Sequence, residues 1–158
     1  MSLPLQGMRI LAIEQYGAGP FSTQHLADLG AEVIKIENPH DGGDVGRAVG
    51  PHYFGPGDSH FYQAFNRNKK SIRLDLKQEA GREVLHKLVE HADAVFNNLR
   101  GDLPAKLGLT YEALKHIRQD IVCVHLSALP IAAMHGRAKT PRRRPTPWSR
   151  HIQYWIQP

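Results

Sequence analysis

Three short stretches hold residue types whose spacing could do chemistry. In "GAGPFS", residues 17–22, two glycines follow an apolar run, and Glu37 lies twenty residues beyond Gly17. Glycines at such a turn admit a pyrophosphate to the positive start of a helix, and an acid ending the next strand binds a ribose hydroxyl. The pattern is incomplete, because Ser22 stands where a third glycine belongs and Pro20 removes one amide from the helix start. A tight strand-to-helix turn is the preferred reading. A nicotinamide-dependent oxidoreductase domain resting on Gly17, Gly19 and Glu37 stays open beside it.

The second stretch, "NRNKKSIRLDLK" at 66–77, gathers Arg67, Lys69, Lys70, Arg73 and Lys77 around one strand. Lysine ammoniums are compact charges suited to phosphates. Alone, such a cluster reads as a solvated sheet edge. The third stretch, "NNLRGDLPAKLG" at 97–108, adds Asn98, Arg100 and Lys106 after another strand. Open α/β sheets bind ligands where their strands end, so two basic stretches converging there point to a phosphate-bearing ligand.

Other chemistries are poorly supplied. None of the ten histidines sits in an HExxH pattern, and His86 and His91, five apart, do not share a helix face, so no metal site is expected. His125 reads as a strand-end residue with a local hydrogen bond, and Cys123 lies in an apolar run where a thiol stays protonated. There is no GxSxG elbow. No catalytic residue is assigned.

The elements that must position these residues follow from periodicity. "MRILAIE" (8–14) reads as a buried strand, Pro20 suits the first turn of a helix running to Gly30, and "AEVIKIE" (31–37) is a second strand. Together they have the length of a βαβ unit. Residues 40–60 carry many glycines and prolines without a period and read as a long functional or mobile loop. A strand at 71–76 follows. Ala80, Val84, Leu85, Leu88, Val89 and Ala92 then place an apolar stripe on a helix over 78–92. Further come a strand at 93–99, a helix capped by Thr110, and a strand at 120–127 that is apolar on both faces. Alternating strands and helices predict a doubly wound α/β layer structure.

At 158 residues the chain fits a single core. One cysteine, no signal segment and no apolar run near the ~20 residues of a membrane span point to a soluble cytoplasmic protein. The net charge of +5 describes one end only. Residues 129–158 hold six basic and no acidic residues with five of the eleven prolines, whereas residues 1–128 hold 14 basic and 15 acidic.

The segments "LQGMRILAIE", "GPF", "LADLGAEVIKIENP", "NRNKKSIRLDLK" with "GREVLHKLVEHADAVFNNLR", and "LGLTYEALKHI" with "DIVCVHLSA" closely resemble the amino-terminal portion of the family III coenzyme A transferases. This is the CaiB/BaiF group, which includes formyl-CoA transferase, carnitine-CoA transferases and α-methylacyl-CoA racemase. The resemblance runs in order over residues 4–128. It implies a Rossmann-like, doubly wound, mostly parallel sheet with helices on both faces, incomplete relative to the family, in a large domain that binds coenzyme A and whose subunits interlock as homodimers.

Carried over by position, the implied CoA contacts are Gly17 and Ala18 in the first turn, Leu74, Asp75, Leu76 and Lys77 after "NKKSI", then Asn98, Leu99 and Arg100, and Lys106. Gly17 stands where some members have glutamine, Asn38 where some have arginine, and Leu99 where phenylalanine is usual. These departures bear on substrate identity. The implied chemistry moves CoA from an acyl-CoA to a carboxylic acid through a mixed anhydride and an aspartyl-CoA thioester. The racemase branch would use a base beside the thioester instead. The aspartate has no counterpart here, so residues 1–128 are expected to bind CoA and the chain as it stands to be inactive.

After Ser127 the periodicity, the acids and the family likeness end together. Residues 129–158 read as a non-family tail, disordered or translated out of frame. The competing reading is a basic arm in which "RRRPTPW" contacts nucleic-acid phosphates.

Overall fold

The computed structural model of the chain describes residues 2–127 and the backbone of one strand at 153–157. The two readings of the basic segment otherwise lie outside the described residues. The chain opens with β1 (Arg9–Ile13), α1 (Ala18–Asp28) and β2 (Glu32–Glu37), the predicted βαβ beginning. α1 closes at Gly30, whose φ of +101 suits a residue without a Cβ.

Residues 40–60, read from the sequence as a long functional or mobile loop, carry short regular elements that the absence of a period did not reveal. They hold a 3-10 turn (Val45–Ala48) and a small hairpin of β3 (Tyr53–Gly55) and β4 (Asp58–Ser59). A four-residue turn and strands of two or three residues are too short to show a period. The Asp44 side chain caps the turn by accepting from the Gly46 N–H. The hairpin leads directly into α2 (His60–Asn66), unanticipated in the sequence and capped by Ser59, which accepts from the Tyr62 N–H.

β5 (Lys69–Arg73) starts and ends earlier than its alternating pattern suggested, which frees residues 74–77 from the sheet. α3 (Glu79–Val89) buries Leu85 and Val89 and leaves Val84 exposed. β6 (Ala94–Asn97), the short helices α4 (Leu103–Lys106) and α5 (Tyr111–Leu114), and β7 (Val122–Ser127) complete the described body. β8 (Gln153–Gln157) pairs with β7.

The strand order is β5-β2-β1-β6-β7-β8, parallel throughout except for the antiparallel β7–β8 pair. The chain runs outward from β1 through β2 to β5, then returns to β6 on the other side of β1. This is the doubly wound arrangement, with its switch point between β1 and β6. Alternate side chains of β1 enter two cores, as period-2 geometry requires. Leu11 and Ile13 pack with Leu85, Val89 and Leu114, while Ile10 and Ala12 pack with Ala27 and Phe96. Both faces of the central strands are covered, which accounts for their uninterrupted apolar runs. No described helix is long and apolar enough to cross a membrane.

Candidate functional site

At the carboxyl ends of β1, β2, β5 and β6 the described residues enclose an open cleft. Ile13, Ile36, Leu74, Leu76, Leu99, Leu103 and Leu107 supply apolar lining. Gln15, Asn38, Asp41, Asp75 and Lys77 supply polar groups, and Glu14, Glu37 and Asp44 reach it from below. The position is dictated by topology, since helices leave room beside strand ends where the winding reverses.

The wall formed by the β1–α1 turn is tightly held. The Gln15 N–H donates to Asn98 Oδ1 and Asn98 Nδ2 donates to the Gln15 carbonyl, both at 2.9 Å. Tyr16 takes φ 70, and its N–H donates to Asp44 Oδ1 at 2.7 Å. On the opposite rim, His40 Nε2 meets Asp75 Oδ2 at 2.9 Å, joining the loop after β2 to the segment after β5.

Beneath the cleft lies a set of buried charges. Lys35 Nζ stands 2.7 Å from Asp44 Oδ2 and 3.7 Å from Glu14 Oε1, with all three side chains at 0% exposure. Lys69 Nζ donates to Glu14 Oε1 and the Pro20 carbonyl at 2.8 Å and to Asn66 Oδ1 at 3.3 Å, so all three of its protons have acceptors. Burial lowers the Lys69 pKa against the raising influence of Glu14. Two ammoniums and two carboxylates balance one another, which is the condition under which charges are tolerated away from water.

Glu37 anchors a second network. Its carboxylate accepts from Arg47 Nε and Nη2, Tyr62 Oη, Ser71 Oγ and the Asp44 N–H, at 2.5–3.1 Å. Burial opposes the charge, but the hydrogen bonds from Arg47, Ser71 and Asp44 outweigh it, and the carboxyl falls to about 2. Burial and then the nearby Glu37 charge raise the Tyr62 phenol. The guanidinium of Arg47 also lies 3.8 Å over the Tyr62 ring. Glu37 therefore has no free oxygen for a ribose hydroxyl, which removes the acid on which a nicotinamide-dinucleotide reading depends.

The residues singled out in the sequence fall into two groups. Leu74, Asp75, Leu76, Lys77 and Leu99 line the cleft. Gly17 caps α1 and Ala18 begins it, and neither is among the residues that line the cleft. Asn98 directs its carboxamide to Gln15. Arg100 is exposed where the chain turns toward α4, and Lys106 is exposed and paired with Asp102 at 2.8 Å. His125 Nδ1 donates to Asn97 Oδ1 at 2.6 Å, and burial lowers its pKa. Burial pushes the Cys123 thiol up to about 11. Sequence reasoning missed Glu14, Lys35, Asp44 and Tyr62. The one available signal was Lys35, a charge set in the apolar alternation of "EVIKIE".

A doubly wound, mostly parallel sheet with a cleft at its switch point defines an α/β protein of the class whose ligands bind where the winding reverses. The particular family follows from comparison: the chain belongs to CoA-transferase family III, whose sequence pattern matches residues 5–138. Among its relatives, the succinate–glutarate CoA-transferase of Agrobacterium fabrum is 42% identical over 124 residues, covering 75% of this chain and 31% of that protein. The human succinyl-CoA:glutarate CoA-transferase is also 42% identical, over 120 residues, with 75% of this chain and 27% of the relative covered. The chain thus spans about a third of the length of the curated relatives it matches. Among solved structures, a CaiB/BaiF family protein from Brucella suis superposes with a TM-score of 0.67 at 40% identity, covering 74% of this chain and 31% of that one. Rv3272 from Mycobacterium tuberculosis superposes with a TM-score of 0.74 at 34% identity, covering 85% and 36%.

Proposed function

We propose that the cleft binds the nucleotide portion of coenzyme A, and that these residues form the amino-terminal, CoA-holding part of an enzyme that moves CoA between carboxylic acids. The observation that carries this reading is the cleft itself. Leu74, Leu76, Leu99, Leu103 and Leu107 offer an apolar bed for an adenine ring or pantetheine arm, Lys77 lines it as a cation for phosphates, and Arg100 and Lys106 are exposed on the chain that follows β6. Gly17 and Ala18 add the start of α1, where backbone N–H groups favour an anion. Relatives named for succinate, glutarate, mesaconate and citramalate point to short dicarboxylates as the acids exchanged.

In the proposed reaction an aspartate attacks the acyl-CoA thioester. The expelled CoA thiolate opens the resulting mixed anhydride at the aspartyl carbonyl and releases the donor carboxylate; the acceptor carboxylate then attacks the aspartyl-CoA thioester, and the thiolate it expels takes the acceptor acyl group and frees the aspartate. The cleft carboxylates Glu14, Glu37, Asp41, Asp44 and Asp75 each have a cation or amide partner, so the nucleophile is assigned to a residue outside those described. The chain's own residues would bind and orient the cofactor portion of the substrate. A cytoplasmic homodimer is the form proposed for the whole enzyme.

Isothermal titration with CoA and with NAD tests the reading. Saturable CoA binding, no NAD binding and a several-fold weaker affinity in Lys77→Ala and Arg100→Ala are expected, together with no CoA transfer from succinyl-CoA to glutarate by this chain alone. Unchanged affinity in both variants would remove the proposed site.

A further inference from the structure

Asn98 matches a ligand contact by position, yet its carboxamide is engaged inside the protein. One side chain on the segment after β6 pairs with both backbone polar atoms of Gln15. The next residue, Tyr16, sits at φ 70, a region a bulky residue occupies only where its surroundings over-determine it. From the other side, Asp44 Oδ1 accepts from the Tyr16 N–H, while Asp44 Oδ2 rests on Lys35. The seat for the carboxamide is made by Gly19. A Cβ there would stand 2.7 Å from Asn98 Cγ and 2.8 Å from Nδ2, so only glycine in the first turn of α1 lets Asn98 reach Gln15.

We infer that Asn98 is a positioning residue: seated against Gly19, its carboxamide holds the Gln15–Tyr16 turn in a left-handed form and so keeps Gln15 on the cleft wall. This rests on the reading of the cleft as a CoA site. CoA senses the turn, not the Asn98 amide. Removing the carboxamide lets Tyr16 leave the left-handed region, and the wall goes with it. Glycine at position 16 enters that region without a Cβ penalty, so it restores the turn in the absence of Asn98. A direct ligand contact could not be restored by a change at Tyr16.

The test compares CoA affinity by isothermal titration and amide hydrogen exchange by NMR in the parent chain, Asn98→Ala, Tyr16→Gly, Gly19→Ala, and Asn98→Ala with Tyr16→Gly. Asn98→Ala should weaken CoA binding about tenfold and lower Gln15 amide protection by a similar factor, with Leu11 in β1 unchanged. The double variant should bind within about threefold of Tyr16→Gly alone. Parent-like binding by Asn98→Ala, failure of Tyr16→Gly to rescue it, or undiminished Gln15 protection each overturns the inference. If the parent chain binds no CoA, the CoA reading of the cleft falls, and the exchange comparison decides the clamp by itself. If Asn98→Ala does not fold, Gly19→Ala displaces the carboxamide without deleting it and carries the same comparison.

Discussion

Replacing Glu37 by glutamine removes the charge at the centre of the Arg47–Tyr62–Ser71 network with almost no change of shape. The folded carboxyl titrates at about 2 against an ordinary 4.5. At 1.36 kcal/mol per tenfold, that difference stabilises the folded chain by about 3 kcal/mol at neutral pH. With 1% of the Glu37 side chain exposed, solvent screening takes little from this figure.

Because the folded value lies below the unfolded one, the stabilisation is complete above pH 4.5 and is lost as pH falls toward 2. Glu37→Gln should therefore cost about 3 kcal/mol at pH 7, and the gap to the parent should narrow by about 0.4 kcal/mol at pH 4.5 and about 1.4 kcal/mol at pH 3.5. Urea unfolding followed by circular dichroism at those three pH values measures the gap, and groups common to both chains cancel. A gap that does not change with pH, or one below about 1 kcal/mol at pH 7, would refute the assignment of Glu37 as a charged, hydrogen-bonded anchor.

Lys35→Met should cost about 3–5 kcal/mol at pH 7, because it leaves the buried Asp44 carboxylate without its cation; the same urea unfolding measures it. Leu85→Ala, at a fully buried position where α3 meets the sheet, should cost about 2–5 kcal/mol, with the CoA affinity of the remaining folded fraction unchanged. Cys123 should resist alkylation by iodoacetamide at pH 7.5 until denaturant is added, since its thiol is buried and titrates at about 11; stoichiometric labelling of the native chain would contradict this.

Most of the sheet was legible because strand and helix periods are local properties. "MRILAIE" and "AEVIKIE" declare themselves within seven residues each, and the stripe from Ala80 to Ala92 marks α3, which ends at Val89. The 40–60 segment was not legible. Its order comes from side chains bonding to a neighbouring backbone, as Asp44 does to Gly46 and Ser59 does to Tyr62, and such bonds leave no period. At the cleft, the segments after β5 and β6 were found from their basic residues. Asn98 was expected as a CoA contact, and its partner Gln15, eighty-three positions away, could not be named without the fold.

The amino-acid sequence alone determined the five parallel strands in their chain order, the doubly wound class and the resemblance to CoA transferases, because apolar alternation and turn chemistry act over a few neighbouring residues. Only the tertiary structure decided which charges are buried and with whom: Lys35 with Asp44, Lys69 with Glu14, and Glu37 with Arg47. A charge can leave water only when a partner is brought within about 4 Å of it, and chain folding, not sequence spacing, supplies that distance.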